Sequence, residues 1–221
     1  MDGLNRFMGC MLGGAVGDAL GFVIGKDDLK TIHKKYGPYG LRTVLKSAKN
    51  GNKSIISDDT QLSLFTADGM LWADHDGLEP TEGLYRSYMR WYYTQTERII
   101  RPEQEKWMNR QDHEVDLEYD MMGEQALFAR RSPGKTCLTA LASGKKLSRD
   151  ETLNHSSGNS TVMRAAPIGL FYEGDPEMAF FVGSQAASLT HGNPKAFLST
   201  ATISAIIASL AVGKDISTAL G

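Results

Sequence analysis

From Leu4 to Ile24 the chain reads LNRFMGCMLGGAVGDALGFVI, with Gly9, Gly13, Gly14, Gly17 and Gly21 three or four residues apart. On a helix this spacing gathers the glycines on one face. Each glycine costs about 1 kcal/mol of helix stability relative to alanine. A helix with this many is expected to be buried, with another helix or a ligand brought close to its bare backbone.

Helical spacing recurs along the chain, whereas strand-type alternation is weak. The sequence predicts helices over 58–74 and 81–94, the latter with Leu84, Tyr88, Trp91 and Tyr92 at helical spacing. Further helices are predicted near 121–131, 136–143, 161–172, 176–191 and 194–212. Residues 25–56 read as loop, with Gly37-Pro38 and Lys49-Asn50-Gly51-Asn52 as turn signals. Residues 95–120 are polar and read as a surface excursion. The expected fold is all-α, a single compact multi-helix domain over 1–221 without repeat or linker.

Composition bounds the function. A chain of 221 residues, 41% apolar and 23% charged, can bury a real core. The formal net charge of −2 gives no sign of a surface that tracks phosphates, so nucleic acid is not expected as a partner. Cys10 and Cys137 lie far apart and read as free thiols in a reducing compartment. Asp2, Asn5 and Arg6 precede only a short Gly/Ala-rich stretch, which is not the pattern of a signal peptide. The longest apolar stretch, Ala201 to Val212, is too short to span a bilayer. A cytoplasmic protein that does not engage membranes is therefore expected.

Three polar stretches carry the chemistry. Ser57-Asp58-Asp59-Thr60 sets two carboxylates and two hydroxyls directly before an apolar run. One reading is a helix start, with Ser57 as N-cap and the acids in the first turn, where the macrodipole favours them. The other is a site for a hard cation such as Mg²⁺ or Mn²⁺, which prefers oxygen donors. The second stretch, Asn154-His155-Ser156-Ser157-Gly158-Asn159-Ser160, is a small polar turn feeding a helix. It is either an ordinary capped turn or an anion site. Arg164 just beyond would pair with a phosphate or with a structural carboxylate. The third is His191, at the corner Thr190-His191-Gly192-Asn193-Pro194, either a helix cap or a ligand contact.

Taken in order, GGAVGDALG (13–21), SDDTQLSLFTADGML (57–71), SPGKTCLTAL (132–141), GNSTVMRAAPIGL (158–170) and SLTHGNP (188–194) resemble the ADP-ribosylglycohydrolase family. The resemblance covers nearly the whole chain. It implies an all-α fold with a pair of metal ions, Mg²⁺ or Mn²⁺, at the base of a cleft. Ser57, Asp58 and Asp59 would be metal ligands, and Asp58 and Asp59 the catalytic carboxylates. Thr60 would support the turn. The turn from Asn154 to Ser160 would cradle the phosphates of ADP-ribose, with His191 beside the nucleotide. The reaction would be metal-dependent hydrolysis of the bond joining ADP-ribose to a protein or small-molecule acceptor.

The sequence departs from the family pattern at three places. Gly25 stands where relatives carry a glutamate. Ser160 stands where glycine is usual, adding a Cβ that penalises a positive φ. No D-x-D-T motif follows Asp215. The expectation is therefore a chain truncated at its C-terminus, with an incomplete metal site and uncovered helix faces. A homo-oligomer could cover those faces. The alternative function is an inactive protein that binds ADP-ribose or an ADP-ribosylated partner.

Overall fold

The computed structural model describes residues 3–48 and 51–220. Eleven α-helices lie among them: α1 (Gly3–Ile24), α2 (Leu29–Tyr36), α3 (Asp58–Asp76), α4 (Pro80–Thr96), α5 (Glu105–Met108), α6 (Asp112–Asp116), α7 (Lys135–Leu141), α8 (Ala165–Phe171), α9 (Pro176–Ser188), α10 (Pro194–Ala211) and α11 (Ile216–Leu220). Extended pairing among the described residues is limited to an isolated bridge between Ser47 and Lys53. The fold is all-α.

The long helices start and stop where local chemistry directs. Ser57 caps α3 by accepting from the Asp59 N–H, and Gly77 closes that helix in the left-handed region at φ 64°. Proline opens α4, α9 and α10, where its missing N–H costs nothing. Asp175 and Asn193 cap the last two.

Helices α3 and α4 cross backbone to backbone. A Cβ on Gly69 would lie 2.8 Å from Leu84 Cα, and one on Gly83 would lie 2.8 Å from Ala73 Cβ. Leu62, Phe65, Leu84, Tyr88 and Trp91 from this pair meet Leu141, Ile168, Val182 and Leu189 in the core. On the other side, Gly183 of α9 faces Ser204 of α10.

A buried ionic cluster fastens the 97–120 segment to this pair. Arg90 Nη2 donates to Glu114 at 2.7 Å and Nη1 to Asp68 at 3.4 Å. His113 and Ser87 also donate to the Asp68 carboxylate. The segment expected to be a surface excursion thus buries Gln104, His113 and Glu114.

Other expectations need correction. The glycine-rich α1 forms as expected but is not a buried helix: Ala19 is its one buried residue. No atom outside the helix lies within 4 Å of where a Cβ on Gly9, Gly13, Gly14, Gly17 or Gly21 would stand. Glycine spacing states what can approach a helix, not what does. By length and composition alone, α1 and α10 are long enough to cross a bilayer, contrary to the reading from apolar runs. Glycine and alanine in α1, and alanine with serine and threonine in α10, lengthen the helices beyond their strongly apolar stretches.

Residues 25–56 contain α2, capped by Asp28 and missed because lysines interrupt its apolar spacing. Residues 121–131 form only a 3₁₀ turn, Gln125–Phe128. The predicted 161–172 helix divides into a 3₁₀ helix, Asn159–Arg164, followed by α8. Of the turn at 49–52, Lys49 and Asn50 lie outside the described residues, as do Asp2 and Gly221; Gly51 and Asn52 adopt positive φ.

Two substitutions separate the two uses of glycine. Gly83→Ala drives a methyl into α3 and is expected to destabilise the protein by about 2–3 kcal/mol. Gly9→Ala meets open space and is expected to add about 0.5–1 kcal/mol. Urea unfolding of both variants checks the contrast.

Candidate functional site

Asp18, the one charged residue between Arg6 and Lys26, projects from the C-terminal half of α1. Its carboxylate accepts from the Ser57 backbone N–H at 2.8 Å and the Ser57 hydroxyl at 2.6 Å. It also accepts from the Thr60 N–H at 3.2 Å and the Thr60 hydroxyl at 2.5 Å. Four donors on one carboxylate bind α1 to the first turn of α3. Ser57 Oγ is therefore occupied twice, giving its proton to Asp18 and accepting the Asp59 N–H. Thr60 supports the turn through Asp18.

The same turn presents Asp58 and Asp59. Asp58 is buried, and its Oδ2 accepts the Gly134 N–H at 3.0 Å. Burial pushes the Asp58 carboxyl up to about 6, with repulsion from Asp59 and Asp18 adding to the effect and the Gly134 N–H opposing it. Asp59 is also raised, by desolvation and then by the Asp18 charge.

These carboxylates lie at one end of a cavity of about 1000 Å³. Gly14, Gly17 and Gly21 of α1 line one wall, so the bare glycine face looks onto the cavity rather than onto a packed helix. Ser63, Met163, Asn159 and Ser160 line it as well.

The structure divides the predicted phosphate turn. Asn159 and Ser160 reach the cavity together with Ser57, Asp58 and Asp59. Asn154, His155, Ser156, Ser157 and Gly158 do not line it. Asn154 is a structural residue: Oδ1 accepts the N–H groups of Ser156 and Gly192, and Nδ2 donates to the Thr190 carbonyl. The Gly158 N–H is taken by Ser156 Oγ at 3.3 Å. Ser160 carries no strain, because its φ is not positive. The glycine-like turn expected there is instead the start of the 3₁₀ helix.

His191 is buried behind Ser160. Its Nε2 shares a hydrogen bond with Ser160 Oγ at 3.1 Å, and Nδ1 shares one with Thr190 Oγ1 at 2.9 Å. Burial, then the Arg164 charge, lowers its pKa to about 4, so the imidazole is neutral at physiological pH. Arg164 is itself fully buried and follows neither expected role. Its guanidinium lies 4.8 Å over the Tyr88 ring and donates to the Ala186 carbonyl and to Cys137 Sγ.

Sequence reasoning missed Asp18 and Gly134. A lone carboxylate in an otherwise apolar helix is the signal that marks Asp18, since such a group is costly unless partnered. Nothing local marks Gly134, whose N–H reaches Asp58 across 76 positions.

The donors at this end of the cavity are hard oxygens, the chemistry that Mg²⁺ and Mn²⁺ prefer. They are few. Among the described residues no group of three or more His, Cys, Asp or Glu side chains is gathered to hold a metal ion. Asp58 and Asp59 by themselves are too few to chelate a pair of such ions.

A family model described as ADP-ribosylglycohydrolase matches residues 1–221. No curated protein matches the chain.

Two outcomes test this geometry. Asp18→Asn turns an amide N–H toward donors that need an acceptor, and is expected to cost about 2–3 kcal/mol in urea unfolding. The second concerns pH. Asp58 has a raised pKa when folded, so the native state binds the extra proton between about 4 and about 6. Its burden on stability is absent below that window and complete above it. Relative to Asp58→Asn, the wild type should lose on the order of 2 kcal/mol as pH rises from 4 to 7. Paired denaturation curves across that range give the difference.

Proposed function

Because the chain belongs to the ADP-ribosylglycohydrolase family, we propose that the cavity under α1 receives ADP-ribose and that the chain hydrolyses its glycosidic bond to an acceptor. Family membership supports hydrolysis of ADP-ribose linkages on ADP-ribosylated substrates. The observation that carries the site assignment is the Asp58–Asp59 pair lining a cavity of about 1000 Å³ that is also lined by Gly14, Gly17 and Gly21.

Breaking a ribosyl bond builds positive charge at the anomeric carbon. Asp59 offers a negative charge to that carbon. Asp58, held by Gly134 and raised to about 6, is poised near neutral pH to take the proton of the attacking water and pass it to the leaving group. The bond from ribose to acceptor breaks as the new bond to the water oxygen forms. Ser57 and Asp18 position this pair. Asn159 and Ser160 face the phosphates, with neutral His191 fixing the Ser160 hydroxyl. Mg²⁺ or Mn²⁺ held by Asp58 and Asp59 would supply Lewis acidity toward the ribose hydroxyls and water, acidifying that water in place of proton transfer to the free Asp58 carboxylate.

A second reading is binding without hydrolysis. It is favoured by one observation, the absence of a three-residue metal cluster among the described residues.

Thermal unfolding with ADP-ribose, with and without Mg²⁺ or Mn²⁺, separates the readings. The expected result is a midpoint raised by ADP-ribose and raised further by metal. Joint replacement Asp58→Asn and Asp59→Asn should remove the metal increment and any release of ADP-ribose from a modified protein. A rise with ADP-ribose but no turnover selects the second reading, and no rise in any condition rejects both.

A further inference from the structure

The net charge of −2 conceals an uneven distribution. Residues 26–53 hold eight basic and two acidic residues, leaving sixteen basic and twenty-four acidic over the rest of the chain. Lys26, Lys30, Lys34, Arg42, Lys46 and Lys53 are all exposed. Lys35 is paired with Asp27 at 2.8 Å.

The same segment leaves large apolar side chains in water. Leu29 is 68% exposed and Tyr39 82%, and Val44 and Leu45 are exposed as well. Helix α2 buries none of its residues. Apolar exposure of this kind is costly unless a partner removes it from water.

Basic and apolar groups interleaved on one exposed segment match the two layers of an anionic bilayer surface. Lysine and arginine meet the headgroups, while leucine, valine and tyrosine enter the acyl boundary. A nucleic-acid strand would use the lysines but leave Leu29, Val44 and Leu45 in water. The core of a protein–protein interface is depleted in lysine, the dominant residue here. We propose that the described residues of this segment, 26–48 and 51–53, are a docking surface for an anionic lipid bilayer, although the absence of a signal peptide and of a long apolar run led to the expectation of no membrane engagement. The segment departs from Gly25 and returns at Ser57, both of which line the cavity. A docked bilayer therefore lies against the rim of the site.

Co-sedimentation of the whole chain with vesicles tests this. One set is phosphatidylcholine alone and the other contains phosphatidylserine, each in low and high salt. The expected result is binding only to the phosphatidylserine vesicles, weakened by salt. The double change Lys30→Glu and Lys34→Glu should weaken it by about twentyfold or more, at roughly fivefold per charge. Its thermal midpoint and its response to ADP-ribose should stay those of the wild type. Equal binding to both vesicle types, undiminished binding by the variant, or no binding at all would overturn the proposal. So would capture of a single-stranded oligonucleotide by a protein that ignores both vesicles.

Discussion

The bond between Asp18 and the first turn of α3 sets the geometry on which the cavity depends. Helix α1 buries only Ala19 and so has little apolar contact to fix its position. Its polar ties are the four hydrogen bonds onto Asp18 and the Arg6 guanidinium on the Ala211 carbonyl. The first tie joins α1 to the helix start that carries Asp58 and Asp59; the second joins its N-terminal end to the end of α10. Between them the glycine face is held so that it lines the same cavity as Asn159 and Ser160. A carboxylate at a helix N-terminus also gains from the macrodipole, so Asp18 is stabilised where it stands.

Charge is distributed unevenly around the cavity. On the α3 side Asp58 is pushed upward by burial and by the charges of Asp59 and Asp18. On the other side Arg164 is buried against Tyr88 and depresses His191. A neutral imidazole can share protons with Ser160 and Thr190 without adding charge. The cationic group thus stays behind the wall, while the anionic groups face the cavity. A reaction that develops positive charge on a ribose carbon suits this polarity. One that develops negative charge near Asp58 does not.

The reading of the sequence succeeded where the signal was local. Ser57, Pro80, Pro176 and Pro194 mark helix starts by their own chemistry, and the apolar spacing behind them sets α3, α4, α9 and α10. The pattern around Ser57-Asp58-Asp59-Thr60 was visible for the same reason, and the structure shows its helix-start reading: Ser57 is the cap, with the acids of the first turn lining a cavity. Failures followed where the outcome was set by distant partners. Glycine spacing in α1 permits close approach, yet the neighbouring space is a cavity. The 121–131 segment has helical composition but is held as a 3₁₀ turn. Arg164 found an aromatic face and a thiol because Tyr88 and Cys137 come from other helices. Asp18 was inside a quoted motif without a role, since its four donors lie about forty residues away.

Helix α3 contains its own control for the functional argument. Asp58 and Asp68 lie ten residues apart on the same helix, and both are buried. For Asp68, burial alone would raise the carboxyl, but His113, Arg90 and Ser87 outweigh it and hold it below the ordinary range. Every donor around it comes from a neighbouring element, and the result is a fastening for the 97–120 segment. For Asp58, burial prevails, two like charges add to it, and the Gly134 N–H offsets only part of it. The chain evidently can build a counter-charge for a buried aspartate, because it does so ten residues further on. Near Asp58 it instead opens a cavity. A carboxylate kept under-compensated beside open space is available to a proton or a cation that arrives from outside, and that difference, rather than acidity as such, is what supports the site proposed at the N-terminal end of α3.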